Sequence, residues 1–82
     1  MTEKEFRELV IEHQDQVFNT CLGFMKNSDE AKDMAQEVFI HVYQNIKKFK
    51  GESLLSTWIY RITVNKCLEE IRKRGKKDFQ QI

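Results

Sequence analysis

The chain has no proline and only three glycines in 82 residues, so nothing in its composition interrupts long helices or calls for the turn density of a small β-protein. It has two cysteines, Cys21 and Cys67, without CxxC spacing, which argues against both a disulfide scaffold and a metal knuckle and leaves them as small apolar packing residues. No apolar run approaches the roughly 20 residues that span a bilayer, and Met1-Thr2-Glu3-Lys4-Glu5-Phe6 is no signal-peptide core. A cytoplasmic location is therefore expected. His13 and His41 have no ligand or catalytic partner at HxxxH or HExxH spacing, and no nucleophile elbow, phosphate-binding glycine loop or sequestered carboxylate pair occurs. Neither an enzyme nor a bound metal or cofactor is expected.

What is present is helical. Phe6, Leu9, Val10, His13, Val17, Cys21 and Phe24 recur at three- and four-residue spacing, which predicts a first helix over roughly residues 3–25 with acidic side chains at its positive end. Lys26-Asn27-Ser28-Asp29 supplies a turn and an N-cap, with Glu30 placed to complete a capping box after Asn27. A second helix over roughly 28–48 buries Ala31, Met34, Ala35, Val38, Phe39, Val42, Ile46 and Phe49. Its other side carries Asp33, Gln36, Glu37, Ile40, Gln44 and Lys47, so Ile40 is expected in water, where it forms a small mixed apolar and acidic surface.

A loop with Lys47, Lys48, Phe49, Lys50 and Gly51 leads to a third helix over roughly 54–74, capped by Ser53 or Ser56. Its apolar residues form two opposed sets: Leu55, Trp58, Ile59 and Ile62 on one face, and Tyr60, Val64, Cys67, Leu68 and Ile71 on nearly the reverse. Gly75 reads as the helix stop, followed by a mobile basic segment that includes Lys76 and Lys77. The predicted fold is all-α, one compact three-helix bundle.

Charge divides the chain. Residues 1–46 carry four Lys and Arg against nine Asp and Glu, whereas residues 47–82 carry ten against four. The dipole of one helix C-terminus accounts for some of Arg72, Lys73 and Arg74. Lys48, Lys50, Arg61 and Lys66 extend the positive character beyond that end, which predicts a phosphate-tracking surface. Composition alone favours packing for Phe49 and Trp58.

Taken together, Asp33-Met34-Ala35-Gln36-Glu37-Val38-Phe39, then Phe49-Lys50-Gly51-Glu52-Ser53, then Ser56-Thr57-Trp58-Ile59-Tyr60-Arg61-Ile62 and Asn65 closely resemble region two of bacterial sigma factors of the extracytoplasmic-function type. The resemblance covers essentially the whole chain. It implies that Asp33, Gln36, Glu37 and Ile40, with Gln44 on the same side, dock on the beta-prime clamp helices of RNA polymerase. It implies that Phe49, Trp58, Arg61 and Asn65, with the cations Lys48, Lys50, Lys66, Arg72 and Arg74, hold the non-template strand of a promoter minus-ten element, and that the segment after Ile71 is the loop forming a pocket for a flipped base. An anti-sigma factor is the family-typical further partner. Nothing after Ile82 supplies the family's second domain, region four, so an isolated domain that does not initiate transcription alone is expected. The competing reading is a helical adaptor that binds only protein.

Overall fold

The computed structural model describes the backbone of residues 1–80 and the side chains of residues 1–75. Three helices, α1 (Glu3–Met25), α2 (Ser28–Asn45) and α3 (Leu55–Gln80), make up nearly all of it, with one short 3-10 turn at Ile46–Lys48. Local chemistry explains the first two boundaries. Thr2 accepts from the Glu5 amide at 3.1 Å while the Glu5 carboxylate accepts from the Thr2 amide at 3.3 Å, a reciprocal cap that satisfies two otherwise unpaired donors and holds the Glu5 carboxyl below its usual range. α1 ends where Lys26 turns left-handed at φ 58, its amide reaching the Leu22 carbonyl at 2.8 Å. Asn27 then caps α2 through the Glu30 amide at 3.0 Å. The return half of that box is absent, because the Glu30 carboxylate is bonded to Arg74 instead.

The turn is so short that α2 must fold back along α1, which brings Phe6, near the start of α1, against Tyr43, near the end of α2, with ring centroids 5.0 Å apart. α3 runs alongside α1 in the same direction: the Gln16 side chain donates to the Ser56 carbonyl, and Cys21 meets Cys67 further along. Val17, Cys21, Val38, Val42, Ile59, Thr63 and Cys67 are fully buried between the three helices. Two polar side chains sit among them at no cost in unmet hydrogen bonds. His13 Nδ1 donates to the Leu9 carbonyl at 2.8 Å, and the Thr63 hydroxyl donates to the Ile59 carbonyl at 2.8 Å.

The three-helix architecture is as predicted, and His13 is the core histidine the α1 stripe implies, but α2 ends at Asn45 and gives way to the 3-10 turn where the pattern carried the helix to residue 48. α3 differs in three respects. Its core line is Ile59, Thr63 and Cys67, one residue per turn, so Cys67 is buried whereas Tyr60, Leu68 and Ile71, which the periodicity grouped with it, are exposed. Ser53 does not cap the helix, since its hydroxyl donates to the Leu54 carbonyl at 3.3 Å. Ser56 already lies inside the helix.

The third difference is length. α3 continues through Gly75 to Gln80, so the stop at residue 74 is overturned, and the stretch after Ile71, which the resemblance made a pocket-forming loop, is helix. A glycine ends a helix by adopting positive φ, and among the described glycines only Gly51 does so, at φ 74. Kept at helical φ, Gly75 costs about 1 kcal/mol relative to alanine, a penalty that a helix of this length absorbs. The side chains of Lys76 and Lys77 in the expected basic segment lie outside the described residues.

Candidate nucleic-acid interface and docking face

The 3-10 turn at the end of α2 and the positive φ of Gly51 reverse the chain within a few residues, presenting Lys47, Lys48 and Lys50 to water. Between them Phe49 points inward. Its ring lies 5.3 Å from that of Trp58 with the planes inclined at 44°, and both side chains are half-buried. Trp58 also packs on the hydrophobic core, so Phe49 covers a tryptophan whose other side is anchored. The pair is partly packing and partly surface, a division that composition alone resolved as packing.

On α3, Trp58, Arg61, Asn65 and Arg72 fall within about 60° of one another at roughly 100° per residue. Arg61, Asn65 and Arg72 are exposed, and the ion pairs among the described residues include neither arginine. This strip therefore offers an aromatic face, an amide and two exposed guanidinium groups in one line. Leu54, 74% exposed, continues it at the start of the helix, an exposed apolar side chain that periodicity could not single out.

Two candidates do not join the strip. Lys66 is half-buried and turned about 80° away from Trp58. Arg74 points to a different side, where its guanidinium binds Glu30 at 3.1 Å and Glu70 at 3.3 Å, tying the end of α3 to the start of α2. Those carboxylates, Glu30 foremost, hold it firmly protonated. With all three side chains substantially in water, solvent screens the arrangement and it adds little to stability.

The second surface lies on α2. Asp33, Gln36, Glu37, Ile40 and Gln44 are all exposed and share one face, with Ile40 57% accessible at its centre, as its position in the pattern predicts. Gln36, Ile40 and Gln44 also line an open groove of about 1010 Å³ between α1 and α2, whose apolar floor includes Phe6, Val10, Phe18, Phe39 and Tyr43. The periodicity assigned Phe6, Val10 and Phe39 to the core. They are half-buried, because on this side no third helix covers the α1–α2 seam.

The thiols of Cys21 and Cys67 meet in the core. Burial pushes Cys21 up to about 12, with its neighbour Cys67 adding to the effect, and burial likewise raises Cys67 against the opposing influence of the hydrogen bond to Cys21. Both are free and serve as packing groups. Among the described residues no group of three His, Cys, Asp or Glu is placed to hold a metal ion, and no helix is long and apolar enough to cross a membrane.

Comparison with known proteins places the whole chain rather than its individual surfaces. The family model described as Sigma-70 region 2 matches residues 9–77. The chain is 39% identical over 69 residues to the ECF RNA polymerase sigma factor SigW of Bacillus subtilis, covering 84% of this chain and 37% of that protein. It is 34% identical over 74 residues to the RNA polymerase sigma-H factor of Pseudomonas aeruginosa, covering 90% of this chain and 38% of the relative. The ECF RNA polymerase sigma-E factor of Haemophilus influenzae is 35% identical over 74 residues, 90% of this chain and 39% of its own length. The chain thus spans a little over a third of the length of each of these three relatives.

Proposed function

This chain belongs to the Sigma-70 region 2 family, and we propose that it is the domain of an extracytoplasmic-function sigma factor that docks on RNA polymerase and captures the opened minus-ten strand of a promoter. The observation that carries the reading is the α3 strip, in which Trp58, covered by Phe49, stands in line with Arg61, Asn65 and Arg72.

Each element of the strip has a task that follows from its chemistry. Extruding a base from the duplex costs a few kcal/mol, and stacking on an aromatic ring returns about 1–3 kcal/mol per base. Phe49 and Trp58 supply such rings, pre-oriented by their mutual contact and by the core beneath Trp58. Arg61 and Arg72, with Lys48 and Lys50 of the loop, hold backbone phosphates, and the Asn65 amide can pair with a base edge. No bond is made or broken. The open strand is favoured because only unstacked bases reach the rings, so differential affinity drives melting.

On α2, Ile40 within a ring of Asp33, Gln36, Glu37 and Gln44 forms a docking face with an apolar centre and a polar, acidic rim, the anatomy of a specific protein interface. In the proposed role it meets the beta-prime clamp helices of the polymerase. An anti-sigma factor would act by covering these surfaces.

A labelled minus-ten single strand titrated at low salt, followed by Trp58 fluorescence, tests strand capture. Saturable quenching that weakens with salt supports the proposal. An unchanged signal supports instead the adaptor reading, which the anchoring of Trp58 on the core favours.

A further inference from the structure

Two exposed apolar strips are left only partly used by these roles, and they lie in halves of the chain with opposite charge. One is the α1–α2 groove, floored by Phe6, Val10, Phe18, Phe39 and Tyr43. Asp15 lines it and Asp33 and Glu37 stand beyond it, with Lys32 the one cation among its lining residues. The other strip runs along α3, where Tyr60, Leu68 and Ile71 are 47%, 39% and 40% exposed and Val64 is half-buried between them. These four fall within about 80° of one another, with Arg61 and Arg72 along one edge.

The two match in length, and the acids beside the groove, Asp33 and Glu37, complement the arginines beside the strip, while Asp15 and Lys32 in the lining offset one another. From Tyr60 to Ile71 the strip rises roughly 16 Å, and along α2 from Lys32 to Gln44 the groove runs roughly 18 Å, at 1.5 Å per residue. Pairing like with like is unfavourable. Strip on strip sets Arg61 and Arg72 against their copies, and groove on groove does the same to Asp33 and Glu37.

We propose that the α3 strip of one molecule docks in the α1–α2 groove of a second copy of this chain. The contact is heterologous, so each molecule keeps one free strip and one free groove, and association continues beyond the dimer unless the rotation closes a ring. Its consequence is self-masking. The groove shares Gln36, Ile40 and Gln44 with the docking face, and Arg61 and Arg72 border the strip, so a molecule held on both sides presents neither surface.

The experiment needs neither DNA nor polymerase, and its result is independent of the role proposed above. Sedimentation velocity is run on the chain at concentrations up to about 1 mM, the weak end of specific association. The wild type is expected to gain weight-average mass steadily, past that of a dimer. Tyr43→Glu disables the groove and Leu68→Glu the strip. Each variant alone is expected to stay monomeric, and a mixture of the two to stop at a one-to-one dimer, because each supplies the face the other lacks. Both positions are exposed, and circular dichroism confirms the helix content; Ile71→Glu replaces Leu68→Glu if that variant loses helix. A wild type that stays monomeric throughout, a single variant that associates like the wild type, or a mixture that gives no dimer each overturns the proposal.

Discussion

The rings of Phe49 and Trp58 lie 5.3 Å apart with their planes at 44°, joining a residue of the basic loop to one on the first turn of α3. Because Trp58 is anchored on the core and Phe49 is anchored chiefly on Trp58, the two rings differ in what their removal costs.

Phe49→Ala is expected to lower stability by about 1 kcal/mol, most of it the lost aromatic pair. Trp58→Ala, which also opens a gap against the core, costs more, about 3 kcal/mol. Both are expected to weaken capture of a minus-ten single strand by about 1–3 kcal/mol. Urea unfolding and fluorescence anisotropy of a labelled strand separate the effects. Phe49→Ala binding the strand as tightly as the wild type would remove the loop from the interface.

Arg72 and Arg74 are two residues apart and differ in occupancy, the second being bound by Glu30 and Glu70. Arg72→Ala is expected to reduce the slope of log affinity against log salt by about 0.7, the value for one phosphate contact on a single strand, whereas Arg74→Ala changes it less. Equal changes of slope would show that DNA displaces the carboxylates.

Ile40→Asp places a charge at an exposed site, so unfolding free energy should stay within about 0.5 kcal/mol of wild type. Binding to polymerase core, measured by pull-down or anisotropy, is expected to fall below detection. Retained binding at wild-type strength would sink the assignment of the α2 face.

The cysteine pair makes stability sensitive to alkaline pH. Burial holds the Cys21 thiol up to about 12 in the folded chain, well above the ordinary thiol value near 9, so the unfolded chain gives up its thiol proton first. The resulting stabilisation is fully present below pH 9 and is lost as pH rises from there toward 12. Urea midpoints from pH 8 to 11 should fall more steeply for wild type than for the Cys21→Ala, Cys67→Ala double variant, and parallel curves would refute the coupling.

Periodicity determined the all-α class, the first two helices, the core stripe through Leu9, His13, Val17 and Cys21, and the exposed position of Ile40. These depend on spacing along one helix, and a 3.6-residue repeat is written directly in the chain. Which α3 residues face the core was decided only by tertiary structure. α3 touches α1 on one flank and α2 on the other, so Cys67 and Thr63 are buried by neighbours that no local repeat specifies. The same holds for the groove, where Phe6, Val10 and Phe39 read as core but stay half-open for want of a third wall. Arg74 belongs to this class too, since its engagement depends on a carboxylate 44 residues away. Contacts of that kind depend on how helices are placed against one another, whereas a stripe depends only on the geometry of one.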